Sequence, residues 1–169
     1  MSEKVALIVS HLQQLTAISK PFNEESTANW RRLAKKREYQ KTADEMLLGL
    51  AMGDLPQAFE ISRLYCKSGQ MYARSGNKNQ AIDCFYKALM EPELHAAALK
   101  WNCYIKGTIA FLNGDKNALM VSIQNFLKGK YLRSFQKHLC FLQNMLTHFD
   151  KSYSVVYEMS ADEQNRLEV

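Results

Sequence analysis

The sequence predicts an all-α protein of about eight helices, folded back on one another as antiparallel hairpins. Three observations predict it. Gly and Pro are scarce, at 7 and 3 of 169 residues, while Ala, Leu, Met, Lys, Gln and Glu, which lose little rotamer freedom in a helix, are plentiful. Apolar residues recur at spacings of three and four along most of the chain. Finally, aligning Gly76 with Gly114 also aligns Gly69 with Gly107 and Phe85 with Ile123, so one helical unit recurs after 38 residues. A chain of this length suits a single domain, residues 1–169, burying roughly 70% of its unfolded surface.

Ser2 can cap a first helix over residues 3–17, where Val5, Ile8, Val9, Leu12 and Leu15 keep helical spacing. Pro21 and the polar run 23–26 end it. A long second helix is expected from Thr27 to Met52, its early part densely basic and its end densely apolar. Gly53-Asp54 reads as a stop and a cap, and Pro56 falls in the first turn of a third helix reaching Arg74, where its missing donor costs little. Asn77 caps a fourth helix through Met90, which Glu91-Pro92 closes. A fifth, over 93–112, is apolar nearly all round and should be covered on two sides. After Gly114-Asp115 a sixth helix carries Leu119, Ile123 and Phe126, with Gly129 as its break. A seventh runs from Tyr131 to Phe149, and a short eighth, Tyr153–Tyr157, precedes a polar tail that Ser160 can cap.

The stretch from Tyr65 to Pro92, YCKSGQMYARSGNKNQAIDCFYKALMEP, shows how such a hairpin closes. Gly69 and Ala81 are small where two helices must approach. Tyr72 and Phe85 fill the space beside that contact, and Gly76 supplies the left-handed residue that ends the first helix. This pattern resembles the tetratricopeptide repeat, well over residues 62–95 and less closely over 100–133, where Lys106 and Ala110 stand in place of Leu and Tyr; Ser68 likewise replaces Leu in the better unit. The resemblance implies hairpins stacked as a short right-handed solenoid, with the first helix of each lining a groove for a partner. It places Arg63, Gln70 and Arg74 on that groove from the better unit, and Trp101, Tyr104 and Thr108 from the weaker. The competing reading makes Trp101 and Tyr104 core residues between hairpins.

Assembled catalytic groups are not found in the sequence. GLAMGD at 49–54 has spaced glycines without the Lys and Ser/Thr of a phosphate loop. His138 and Cys140, two apart on a helix, point about 160° away from each other, so no metal site is expected. Cys66, Cys84, Cys103 and Cys140 lie singly in helices and read as reduced, small hydrophobes; His95 near a helix start reads as a structural or exposed histidine ahead of a ligand contact. No cofactor is implied. The net charge of +5 permits an acidic partner without demanding one. Val5–Val9 is too short for a membrane span, and neither a signal peptide nor a membrane partner is expected.

The strongest charged feature is the basic patch Arg31, Arg32, Lys35 and Lys36, beside Trp30 and Tyr39 in the segment 30–41. It reads either as a solvated helix face, with Trp30, Leu33 and Ala34 turned inward, or as a nucleic-acid contact. The functional expectation is therefore a cytoplasmic adaptor or small chaperone, not an enzyme, holding another protein or peptide in a helical groove. The alternative is a nucleic-acid-associated regulator working through the basic helix.

Overall fold

A computed structural model describes residues 24–52, 58–92, 97–128 and 133–167 of the chain. Among these residues there is no strand, and eight α-helices follow one another: α1 Glu24–Lys35, α2 Tyr39–Met52, α3 Ala58–Arg74, α4 Lys78–Lys87, α5 Ala98–Asn113, α6 Lys116–Leu127, α7 Gln136–Thr147 and α8 Tyr153–Leu167. A 3₁₀ turn, Arg133–Phe135, leads into α7. The expected helix over 3–17, the Gly53-Asp54 turn, Pro56, His95 and the Gly129 break lie outside the described residues.

The long second helix expected from Thr27 to Met52 is instead two helices, α1 and α2. Arg37 adopts a left-handed φ of 60° and turns the chain. Its geometry matches the next two turns: Arg37, Gly76 and Gly114 donate to the carbonyls of Ala34, Ala73 and Phe111, and the residues after them donate five positions back, to Leu33, Tyr72 and Ala110. All three are Schellman closures, and the first has Arg where the others have Gly. A turn at Arg37 allows α1 to lay Trp30 against Met46, Leu50 and Leu64 in a small separate core.

With that turn in place the repeat extends along the described chain. Glu38, Asn77, Asp115 and Ser152, spaced by 39, 38 and 37 residues, each accept through the backbone carbonyl from the amide four residues on. Those four amides belong to Thr42, Ala81, Leu119 and Val156, each fully buried. Asn77 and Asp115 also cap their helices through the side chain, on Gln80 and Ala118. The expected crossing at Gly69 is present: a Cβ there would stand 3.2 Å from the Ala81 carbonyl oxygen and from the Phe85 ring.

The helices pack serially, α1 on α2, α2 on α3, α3 on α4 and onward, and α5 is covered by α4, α6 and α7. Its near-continuous burial from Ala98 to Phe111 follows from that position. The last hairpin departs from the sequence reading. Helix α8 runs to Leu167, and Ser160, expected to cap a tail, is buried in mid-helix, donating to Val156 O (2.9 Å) and accepting from Asn144 Nδ2 (3.0 Å). An aromatic cluster of Phe111, Phe141, Phe149, Tyr153 and Tyr157 holds α8 against α5 and α7. Helix α8 also returns across the chain to pack on α3.

Candidate functional site

The return of α8 onto α3 decides where a surface is left open. Arg63, Gln70 and Arg74 do share one face of α3, as their spacings of seven and four require. Helix α8 crosses that face and divides it. Arg63 and Gln70 line a cleft on one side, and Arg74 lines a depression on the other.

The second half of the expected groove is corrected by burial. Trp101, Tyr104 and Thr108 are 5%, 2% and 0% exposed, so they are core residues between hairpins. Trp101 Nε1 donates to Ser62 Oγ (2.9 Å) and to Ala88 O (2.8 Å), tying α5 to both helices of the preceding hairpin. Tyr104 accepts from Gln70 Nε2 at 3.0 Å, and burial raises its hydroxyl pKa well above the ordinary range. Thr108 donates to its own helix, at Tyr104 O. What α5 offers the cleft is the edge of Trp101, with Ala97 beside it.

Between α3, the start of α5 and the 3₁₀ turn with α7 that cleft encloses about 580 Å³. Its floor is aromatic. The His138 ring lies 4.6 Å from Tyr104, 5.8 Å from Trp101 and 5.3 Å from Phe135, between ring centroids. Its rim is cationic. Arg63 and Lys67, one turn apart on α3, both line it, and no acidic side chain does among the described residues. Burial, then Arg63, with Arg31 of α1 adding, holds the Lys67 pKa below its ordinary value. Burial and Arg63 likewise hold His138 low, favouring its neutral imidazole. His138 Nδ1 is buried without a hydrogen-bond partner among the described residues. Such an arrangement can accept an apolar side chain on its floor and a negative group at its rim.

The basic patch is exposed throughout: Arg31, Arg32, Lys35 and Lys36 face solvent, while Trp30 and Leu33 are buried. Arg31 acts on Lys67, so the positive field of α1 continues onto the cleft rim. Lys67 was within reach of the sequence, being one turn from Arg63 on the same face. His138 and Phe135 carried no such signal, because their position depends on α7 packing against α5 and α6. Among the thiols, Cys66 and Cys84 are buried and their pKa values pushed up by burial to about 12 and about 11, which leaves them poor nucleophiles. No group of three His, Cys, Asp or Glu among the described residues could hold a metal ion. No helix among them is long and apolar enough to cross a membrane. No protein-family model, curated protein or solved structure matches the chain.

Proposed function

We propose that this protein is an interaction module of tetratricopeptide-like hairpins, an adaptor or small chaperone of the cytoplasm, and that it holds a partner protein or peptide in the cleft between α3, α5 and α7. The single observation carrying this reading is the cleft itself: an aromatic floor of Trp101, Phe135 and His138 under a rim of Arg63 and Lys67, with no acidic side chain lining it among the described residues. Interface energy concentrates in a few aromatic and Arg anchors, and the cleft offers Arg63, Trp101 and Phe135 as such anchors. The recurrence of the hairpin after 37 to 39 residues supports the repeat reading, because stacked helical repeats build extended binding surfaces.

The test is retention of proteins from the native cell on the immobilised chain, repeated with the double variant Arg63→Glu, Lys67→Glu. Both residues are exposed, with only the Lys67 ammonium drawn partly into the rim, so the variant should fold. A partner held by the parent and lost by the variant supports the reading; equal retention overturns it. The exposed row Arg31, Arg32, Lys35 and Lys36 favours a second reading, nucleic-acid binding through α1. Tight duplex or single-strand binding that weakens steeply with salt, and is lost when those four become Gln, would favour it over the adaptor.

A further inference from the structure

A second site lies on the far side of α8, in a depression of about 300 Å³ lined by Lys35, Arg37, Arg74, Tyr39, Tyr157 and Glu158. We propose that it binds a phosphate group. Arg37 is the first observation. It sits in a left-handed turn where the next two hairpins use glycine, a conformation that is costly for a residue with a Cβ. The contact it gains is a 3.8 Å ion pair to Glu158 with both ends well exposed, which returns little stability. The turn itself seats α1, but glycine would make it at less cost, so an arginine there points to a role for its side chain.

Arg74 is the second. Its guanidinium carbon lies 3.9 Å from the Tyr39 ring centroid and 4.4 Å from that of Tyr157, clamped between two aromatic faces. It donates to Tyr39 Oη, which fixes the plane, yet Nε is buried with no partner among the described residues. The same nitrogen, Nη2, that donates to Tyr39 also approaches Glu158 Oε1, again only at 3.8 Å. Two guanidinium forks thus converge on one carboxylate oxygen, and both stand outside hydrogen-bond distance of it.

As placed, Glu158 hydrogen-bonds to neither guanidinium, whereas a phosphate offers three oxygens and up to two negative charges. Lys35, Arg37 and Arg74 against Glu158 leave two positive charges among the described lining residues, which a dianion balances. Glu158 then acts as a resident competitor that the phosphate moves aside, and at 43% side-chain exposure it has room to swing into solvent. This site is separate from the α3–α5–α7 cleft, so either can fail without the other.

Inorganic phosphate at pH 8 is the probe, titrated against sodium chloride of matched ionic strength while the Arg Nε–Hε resonances are followed by NMR. Phosphate should shift the Arg74 resonance saturably and chloride should not. Arg37→Gly suits the turn, so the fold should persist while phosphate affinity drops about tenfold or more with loss of one charge-assisted contact. Glu158→Gln should tighten binding. The proposal is overturned by a shift no larger than that from chloride, by Arg37→Gly binding phosphate as the parent does, or by Glu158→Gln failing to tighten it. A phosphoserine peptide and glycerol phosphate then separate the sources: whichever binds more tightly identifies a phosphorylated partner or a small metabolite, and either result upholds the site.

Discussion

Ser62 and Lys100 occupy the same place in successive hairpins. Each reaches across 26 residues to the backbone at the end of its hairpin's second helix, Ser62 Oγ to Ala88 O and Lys100 Nζ to Phe126 O, and both pairs are related by 38 residues. The repeat has therefore kept a tertiary hydrogen bond while changing the residue that makes it. Lys100 also reaches Lys128 O, placing a buried cation where the carbonyl ends of α6 concentrate negative potential.

Lys100→Met should accordingly cost about 1–3 kcal/mol, since it leaves those buried carbonyls without a donor. Ser62→Ala should cost only about 0.5–1.5 kcal/mol, because Trp101 Nε1 still donates to Ala88 O. Urea denaturation midpoints rank the two, and the reverse order would mean the contacts are not equivalent.

The close approach of α3 and α4 is tested at Gly69. A Cβ there meets a backbone oxygen at 3.2 Å, and a larger side chain would run into the Phe85 ring. Gly69→Leu is expected to destabilise by about 1–3 kcal/mol or more, as overpacking a close contact does. A thermal midpoint equal to the parent's would show that the helices cross elsewhere.

Alkali should unfold the protein through its buried thiols and phenols. Burial holds the Cys66 proton up to about 12, against an ordinary thiol value of 9.0. In the unfolded chain the same group ionises near 9, so the folded state gains nothing from it below that pH. Above it the unfolded state releases the proton first, and stability falls progressively until about 12. Cys84 adds a similar limb up to about 11, and Tyr72, Tyr104 and Tyr153, all raised chiefly by burial, add theirs at higher pH. Guanidinium titrations between pH 8 and 11 should show this decline, with a shallower slope in Cys66→Ala. An unchanged slope in that variant would place the Cys66 thiol in water.

Thiol labelling reads the packing independently. Cys140 is exposed, Cys103 half-buried, and Cys66 and Cys84 buried. An aromatic disulfide reagent at pH 8 should label Cys140 quickly, Cys103 slowly, and the other two only on addition of denaturant. Fast labelling of Cys66 would contradict the seating of α3 in the core.

Much of this architecture was legible residue by residue. Gly76 and Gly114 announced their turns because only glycine takes that conformation freely, and Gly69, Ala81 and Phe85 announced a crossing because their sizes match across it. The turn at Arg37 was hidden for the same reason in reverse: an arginine in a basic, helix-favouring run gives no sign of a left-handed backbone. The groove was misplaced because nothing near Trp101 or Tyr104 foretells that His138 and Phe141 will pack on them. Helix α8 read as a short segment with a polar tail because its burial comes from the aromatic cluster and from α3, some 90 residues earlier in the chain. Local letters predicted local geometry; the open surface depended on contacts between distant hairpins.

The most direct test of the proposed role is the affinity of a captured and purified partner, measured by calorimetry for the parent and for the Arg63→Glu, Lys67→Glu variant. The cleft reading predicts a loss of about 1–3 kcal/mol or more, a tenfold to hundredfold weaker Kd, with helix content and thermal midpoint unchanged. The same partner should bind the variant with Gln at 31, 32, 35 and 36 nearly as tightly as the parent, because those four side chains do not line the cleft. A partner that binds the Arg63, Lys67 variant with undiminished affinity would contradict the assignment.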